Sequence, residues 1–595
     1  MTIYKAPLRD IRFVLHELLD IGRLGRLARF DFMTPEVVDS VLEGAAKLCE
    51  GVLFPLNRSG DEKGCQFDNG VVRTPPGFAA AYRAFAGGGW TSLACDPAFG
   101  GQGLPEVINL ALTEMACASN LAFATYPVLS HAAYVLISVH ASDQLKRTFL
   151  PKLVDGRWSG TMCLTEPQCG SDLGLIETKA RPQLDGSYRV SGTKIFVTGG
   201  DHDLTENIVH LVLARLPEAP SGTQGLSLFV VPKFLVNGDG GAGPRNGVTC
   251  GSIEKKMGIN GSATCVMNFD HATGYLVGRR RHGLRYMMTM MNIARLAVGM
   301  QGVGLAETAY QSARAYARDR LQGRALSGDR GLDRPADPII VHADVRRMLL
   351  TMRAHCEGAR ALGYRVGLNV DLSRHHPEAE VRRQALDLVQ LLTPVVKASF
   401  TDHGFEATNL GLQIFGGHGY IREHGMEQLV RDARIGQLYE GTNGVQALDL
   451  VGRRLVMKGG RLLRRFFDPI DRFIAEQMSQ IPMREFVLPL AEAFATLQRV
   501  TAWIADKSMN DRQEAAAAAS DYLRLFALVT LGATWAQIVK TAYAALENTC
   551  ENQFYEAKIA TARFYMQRLL PHASSLAAVI LSGSGSIMEP DAEAF

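Results

Sequence analysis

None of the ten cysteines stands in a Cys-x-x-Cys pair, and Cys163 and Cys169 are the two nearest to one another. That scatter supports neither a disulfide framework nor a zinc site, both of which need grouped ligands, so a reducing cytoplasm is the expected compartment. His16-Glu17-Leu18-Leu19-Asp20 starts like a zinc-protease helix but lacks the second histidine one turn on. There is no Walker loop, and no Gly-x-Gly-x-x-Gly is expected to follow a strand, which removes the two common phosphate-binding turns. Charge of one sign is also missing. The 63 basic residues are balanced by 60 acidic ones, so the chain as a whole is not drawn to nucleic acid. The N-terminus has no basic-then-apolar leader, and Asp10, Glu17 and Asp20 argue against an acid-poor transit peptide. The longest uncharged apolar run, read at 525–539, is too short to cross a bilayer. No metal, no transmembrane segment and no nucleic acid are therefore expected.

What is present is enough for several cores. A chain of 595 residues implies roughly three to five domains. Helical periodicity opens the sequence, with Ile11, Val14, Leu15, Leu18 and Leu19, then Val37, Val38, Val41 and Leu42. A Gly/Pro/Asp-rich patch at 57–77 predicts a hairpin or ordered loop, and further helices run to about 150, broken by a tight loop at 96–105. From about 162 to 275 the pattern changes to short strands at 188–190, 194–197, 208–214, 226–231 and 265–269, separated by turns, as in an antiparallel sheet or barrel. Long helices return at 283–459, and a helical block fills 460–595. The expected fold is α+β, with an N-terminal extension 1–34, a helical domain 35–160, a middle antiparallel β-barrel domain 161–276, a helical bundle 277–460 and a C-terminal helical domain 461–595.

The organising stretch is 431–446. Glu440 ends an amphipathic run and is followed by Gly441, Thr442, Asn443 and Gly444, after which helical periodicity resumes at Val445 and Leu448. Thr442 or Asn443 is the natural N-cap, which leaves Glu440 on a loop between helices. A carboxylate held by rigid elements beside an apolar cleft has the raised basicity that proton abstraction near neutral pH needs. A solvated loop glutamate is the plain alternative. Two further stretches, 162–172 and 194–200, each combine a hydroxyl, backbone donors and close-approach glycines suited to a planar heterocycle with a phosphate tail.

Thr165-Glu166-Pro167 with Gly170-Ser171-Asp172, the run from Gly192 to Gly200, Gln413-Ile414-Phe415-Gly416-Gly417-His418-Gly419-Tyr420, and Tyr439-Glu440-Gly441-Thr442 occur in the order found in acyl-CoA dehydrogenases. The sequence resembles that family over about 35–460. The block after it looks like the C-terminal extension of the larger members, the 3-methylmercaptopropionyl-CoA dehydrogenases among them. The resemblance implies FAD as cofactor. Met162, Leu164 and Thr165 would contact the flavin ring, with Gly170 and Ser171 at the pyrophosphate or the thioester ligand. Phe196 and Thr198 would pack on and bond the ring, Phe196 standing where many relatives have tryptophan. Arg320 and Gln322 match a loop that reaches FAD across a dimer interface, Gln413, Gly416 and Gly417 the loop for the adenosine half, and Thr442 the end of that site. Glu440 falls on the catalytic base; Asn292, Arg295, Ser171 and Gly441 match substrate contacts.

The implied reaction is α,β-dehydrogenation of a saturated acyl-CoA to a trans-2-enoyl-CoA in fatty-acid β-oxidation, by a homodimer or dimer of dimers that passes electrons to electron-transfer flavoprotein. A medium- to long-chain acyl group is expected, because Ala122, Ala124, Ala132 and Ala133 lie in the segment that borders the acyl pocket in relatives and leave depth. Tyr126 or Tyr134 turned inward would favour a short chain such as 3-methylthiopropionyl. An acyl-CoA oxidase shares these motifs. A flavin-containing DNA-binding homologue is a further alternative, suggested by the basic run Arg453, Arg454, Lys458, Arg461, Arg464, Arg465, Arg472.

Overall fold

The computed structural model describes residues 2–326, 334–547 and 552–595. It resolves into two compact units, one formed by 41–297 and one by 1–40 together with 298–595.

The 41–297 unit joins helices to a sheet. The expected hairpin is there, Gln66–Asp68 against Val71–Arg73, with Asn69 and Gly70 both left-handed at its tip, the geometry a two-residue turn between twisted strands requires. The first third of the 57–77 patch is helix instead, Pro55–Lys63. The seven-stranded sheet runs Val248–Ile253, Thr264–Leu276, Tyr188–Thr198, Lys179–Pro182, Asn207–Arg215, Trp158–Cys163, and Leu226–Pro232 pairs with both Thr264–Leu276 and Asn207–Arg215. That seventh strand closes five strands into a ring, which removes their free edges. The pairing is antiparallel except where Asn207–Arg215 meets Trp158–Cys163 and Lys179. Trp158–Cys163 is buried at all six positions, so it lacks the alternation that marks a half-exposed strand. The Gly-x-Gly-x-x-Gly spacing does occur after a strand, at Gly238, Gly240 and Gly243. It turns the small hairpin Phe234–Val236 to Ala242–Arg245 and opens no helix, so it is no dinucleotide fingerprint.

The helix Glu106–His140 breaks at Asn120 (φ −160°, ψ 90°). The Asn120 side chain accepts from Phe123 N at 3.0 Å and donates to Leu53 O, capping the second half as it begins. From Met115 to Ser142 there is no Asp, Glu, Lys or Arg, a longer uncharged stretch than 525–539. Glu106–His140 and Arg512–Leu546 are both long and apolar enough to cross a membrane, but their most apolar windows are 72% and 83% buried inside the protein, the environment of core helices.

In the other unit Ala343–His375 and Ala379–Phe415 pack against each other and against Arg512–Leu546, which packs in turn on Arg484–Asn510, and Gly283–Asp319 (from Val298 on) meets Ala379–Phe415 where Gly299 and Gly302 face Val396 and Phe400. Trp535 is fully buried, its indole N–H donating to Ala354 O at 3.1 Å, with Gly358 leaving the room beneath it. A buried charge network ties the chain ends together: Asp10 bonds Arg360 and Lys558, Arg360 bonds Glu307 at 2.8 Å, and Lys558 bonds Glu357 at 2.7 Å. Part of the basic run is paired within the fold: Lys458, Arg461 and Arg465 converge on the buried Asp387, and Arg453 and Arg454 bond Asp449.

Candidate active site

In the 41–297 unit, the strand Trp158–Cys163 delivers Met162, Leu164 and Thr165 to the end of the sheet, where Ile195 N donates to Thr165 O at 2.9 Å. This bond brings the 162–172 and 194–200 stretches side by side. Between the pairs Cys265–Val197 and Met267–Lys194 the register slips by one residue, a bulge that re-aims a side chain. Phe196 sits in it with φ +56° and is 60% exposed. A bulky residue held left-handed costs about 1–3 kcal/mol and persists only where its surroundings impose it. Thr165 and Thr198 are half-buried beside it, and Gly170 and Ser171 are exposed at the following turn. A flat aromatic face, two hydroxyls and an open glycine turn fit a flavin ring with its phosphate tail.

The sequence reading missed what holds this edge. Lys194 is fully buried and donates to Leu164 O at 3.0 Å and Glu166 Oε1 at 2.7 Å. Glu166 also accepts from Thr178 Oγ1, Thr178 N, Glu177 N and Gln168 Nε2. Burial raises the pKa of Glu166, but Lys194 and these donors outweigh it and hold the carboxyl down to about 2. Asn292 and Arg295 lie on the helix Gly283–Asp319; Arg295 is buried, and Asn292 Oδ1 is buried with no hydrogen-bond partner among the described residues.

In the other unit, the Glu440 loop lies between the turn Ile435–Gln437 and the helix Asn443–Asp449. Thr442 is the N-cap, its hydroxyl accepting from Val445 N at 3.2 Å. Glu440 is half-buried, and it and Gly441 are both left-handed, φ +57° and +83°. This second strained residue is held by partners from the helix Ala379–Phe415. Fully buried Lys397 donates to Gly441 O at 2.7 Å and Asn443 Oδ1 at 2.9 Å, and Asn443 Nδ2 donates to Thr401 Oγ1 at 3.0 Å and Asp402 Oδ1 at 2.7 Å. Tyr439 bonds Gln301. Arg320 and Gln322 are exposed on the loop after Asp319, and Gln413, Gly416 and Gly417 are exposed at the end of Ala379–Phe415. Tyr316 stacks on Phe415 at 4.1 Å and its hydroxyl meets His418 Nδ1 at 2.9 Å, which brings these two exposed loops together. A Cβ at Gly416 or Gly417 would meet nothing within 4 Å.

The 41–297 unit also holds a cavity. Phe85, Leu110, Leu112, Val128 and Ile293 line it, and Glu106 and His131 share the wall. Of the four alanines expected to give depth, only Ala124 faces it. Ala133 serves close packing, since a Cβ at Gly160 would fall 2.4 Å from its own; Ala122 backs Gly261 and Ala132 is in the core. Tyr126 and Tyr134 are buried but line no part of the cavity: the Tyr126 hydroxyl accepts from Ala263 N at 2.9 Å and donates to Gly261 O, and Tyr134 accepts from Asp96 N at 2.7 Å.

The chain matches the acyl-CoA dehydrogenase N-terminal domain over 39–157, the middle domain over 161–272, the C-terminal domain over 281–456 and an acetyl-CoA dehydrogenase C-terminal-like domain over 466–591. It is 43% identical to 3-methylmercaptopropionyl-CoA dehydrogenase of Ruegeria pomeroyi, over 96% of this chain and 97% of that one. It is 34% identical to a butyryl-CoA dehydrogenase of Syntrophomonas wolfei over 100% and 99% of the two chains. The crystal structure of an acyl-CoA dehydrogenase complexed with FAD from Bacillus anthracis superimposes with a TM-score of 0.75 at 20% identity, covering 92% of this chain and 89% of that one, a likeness of fold. The chain belongs to the acyl-CoA dehydrogenase family, whose members are FAD-dependent oxidoreductases acting on CH–CH bonds.

Proposed function

We propose that this protein dehydrogenates the α,β bond of a compact acyl-CoA, with 3-methylthiopropionyl-CoA as the leading candidate, and that Glu440 is its base. The observation that carries the role of Glu440 is its strained, tied-down loop: a half-buried carboxylate fixed at positive φ by Lys397, Asn443 and the Thr442 cap. Glu440 takes the α-proton. Its own backbone N–H donates to the thioester carbonyl oxygen as enolate charge develops there, without which that proton is too weakly acidic for a carboxylate. FAD, when bound, supplies the acceptor for the β-hydride. Met162, Leu164, Thr165, Phe196 and Thr198 hold its ring, Gly170 and Ser171 its pyrophosphate, and Arg320, Gln322, Gln413, Gly416, Gly417 and Thr442 its nucleotide half. Ser171, Asn292, Arg295 and Gly441 orient the thioester.

A compact acyl group is supported by the alanines that serve packing rather than depth and by the acyl groups in the names of the two relatives. A medium- to long-chain substrate in β-oxidation is the second reading, favoured by Ala124 and the apolar residues of the cavity. The nine described cysteines are free thiols, in keeping with a cytoplasmic enzyme. The exposed Arg320 loop suits a homodimer or dimer of dimers, and electron-transfer flavoprotein is the proposed acceptor. The test is kcat/KM with a dye acceptor for butanoyl-, octanoyl-, hexadecanoyl- and 3-methylthiopropionyl-CoA, with peroxide measured in parallel. The reading expects a maximum at a short substrate and no stoichiometric peroxide. A maximum at hexadecanoyl-CoA overturns the compact-substrate reading, and stoichiometric peroxide makes the enzyme an oxidase.

A further inference from the structure

The cavity of the 41–297 unit carries a charge pair that the proposed reaction does not use. His131 Nε2 lies 3.2 Å from Glu106 Oε1 and 3.1 Å from Oε2, and Asn109 Nδ2 donates to Glu106 Oε1 at 2.9 Å. The Glu106 and His131 side chains are 4% and 10% exposed, so the pair is nearly out of water. Both residues belong to Glu106–His140. A straight helix would hold residues 25 apart in sequence roughly 37 Å apart, so the break at Asn120 folds the two halves back until Glu106 and His131 meet. The fold thus brings a carboxylate and an imidazole into a wall that is otherwise largely apolar. An alkyl chain laid against such a pair strips its remaining hydration and returns no hydrogen bond. A short chain need not reach it, and a thioether sulfur, polarisable and a weak acceptor, is better tolerated than methylenes.

We infer that the Glu106–His131 pair determines acyl specificity, selecting acyl-CoA thioesters that are short or carry a distal heteroatom such as a thioether sulfur over long unbranched alkyl chains. This rests on the reading of the protein as an acyl-CoA dehydrogenase whose acyl group enters this cavity. Replacing both partners by apolar residues of similar size avoids leaving one charge buried alone, so the test variant is E106L/H131L in the full FAD-loaded chain. The expected result is at least a tenfold rise in the ratio of kcat/KM for octanoyl-CoA to that for 3-methylthiopropionyl-CoA. T113V, which changes an uncharged residue of the same cavity, should move the ratio less than twofold. E106Q/H131Q, which keeps the shape and removes the charges, should raise it about threefold and stands in if the leucine variant loses FAD. An unchanged ratio in an FAD-containing variant overturns the inference while leaving the dehydrogenase reading intact, as does an equal change in T113V. A wild type that oxidises no acyl-CoA overturns the reading itself and the inference with it.

Discussion

Replacing Lys397 by methionine tests how the loop that carries Glu440 is held. Methionine keeps the length and volume of the fully buried stem but donates nothing to Gly441 O or Asn443 Oδ1, which Lys397 Nζ now meets at 2.7 and 2.9 Å. Hydrogen bonds from a charged group contribute about 1.5–3 kcal/mol each. Part of that is offset by the cost of burying the ammonium, and Gly441 O keeps a long contact of 3.4 Å from Gln446 Nε2. The net loss should be about 2–3 kcal/mol, which for a unit of this size is a fall in Tm of roughly 3–4 °C. The same bonds resist relaxation of the left-handed Glu440, a strain of about 1–3 kcal/mol. Once they are gone the carboxylate drifts, and a displacement near 1 Å costs up to about a hundredfold in rate. Thermal melts and steady-state kinetics on FAD-loaded protein should therefore show both a lower Tm and a kcat reduced at least about tenfold, with KM changing much less. A lower Tm with wild-type kcat would refute the reasoning, because Lys397 would then support the fold without positioning the base.

Arg320→Ala should weaken FAD retention through dialysis, since alanine cannot replace a charge-assisted contact to pyrophosphate, and unchanged flavin occupancy would count against that role. Phe196→Gly should split two properties. Relief of the positive φ raises the Tm of the apoprotein, while loss of a stacking face worth about 0.5–1.5 kcal/mol weakens FAD binding; a parallel fall in both would show that Phe196 only packs the barrel. Glu106 and its hydrogen bonds, with a smaller contribution from Cys95, outweigh burial and raise His131 to about 10 from 6.5. A raised folded-state value means that the pair's contribution is complete below pH 6.5 and is lost as pH rises toward 10. The Tm of the wild type minus that of E106L/H131L should therefore fall across that window, and a difference independent of pH would mean that His131 is not held as a cation.

The order of helices, barrel and helices was legible because it rests on local periodicity, and the Thr442 cap because capping acts over three residues. The strand Trp158–Cys163 was not, since burial on both faces erases alternation. Alanines 122, 132 and 133 looked like pocket depth in one dimension, whereas in the fold Ala133 and Ala122 admit Gly160 and Gly261 as close neighbours and Ala132 is in the core. The residues that hold the site edges were invisible for a different reason. Lys194 and Glu166 are 28 positions apart, Lys397 and Asn443 are 46 apart, and a lysine in a helix or strand reads as solvated until tertiary structure buries it. Phe196 and Glu440 show the converse: neither is a residue type associated with positive φ, so their strain could not be read from sequence.

The central claim, that Glu440 abstracts the α-proton beside bound FAD, is tested most directly by anaerobic mixing of FAD-loaded protein with excess 3-methylthiopropionyl-CoA, followed through the oxidised flavin band, in the wild type and in Glu440→Gln. The wild type should bleach. The variant should keep its FAD and its Tm but bleach at least about a hundredfold more slowly, the lower scale for loss of a positioned general base. Bleaching of the variant at the wild-type rate would contradict the assignment of the base.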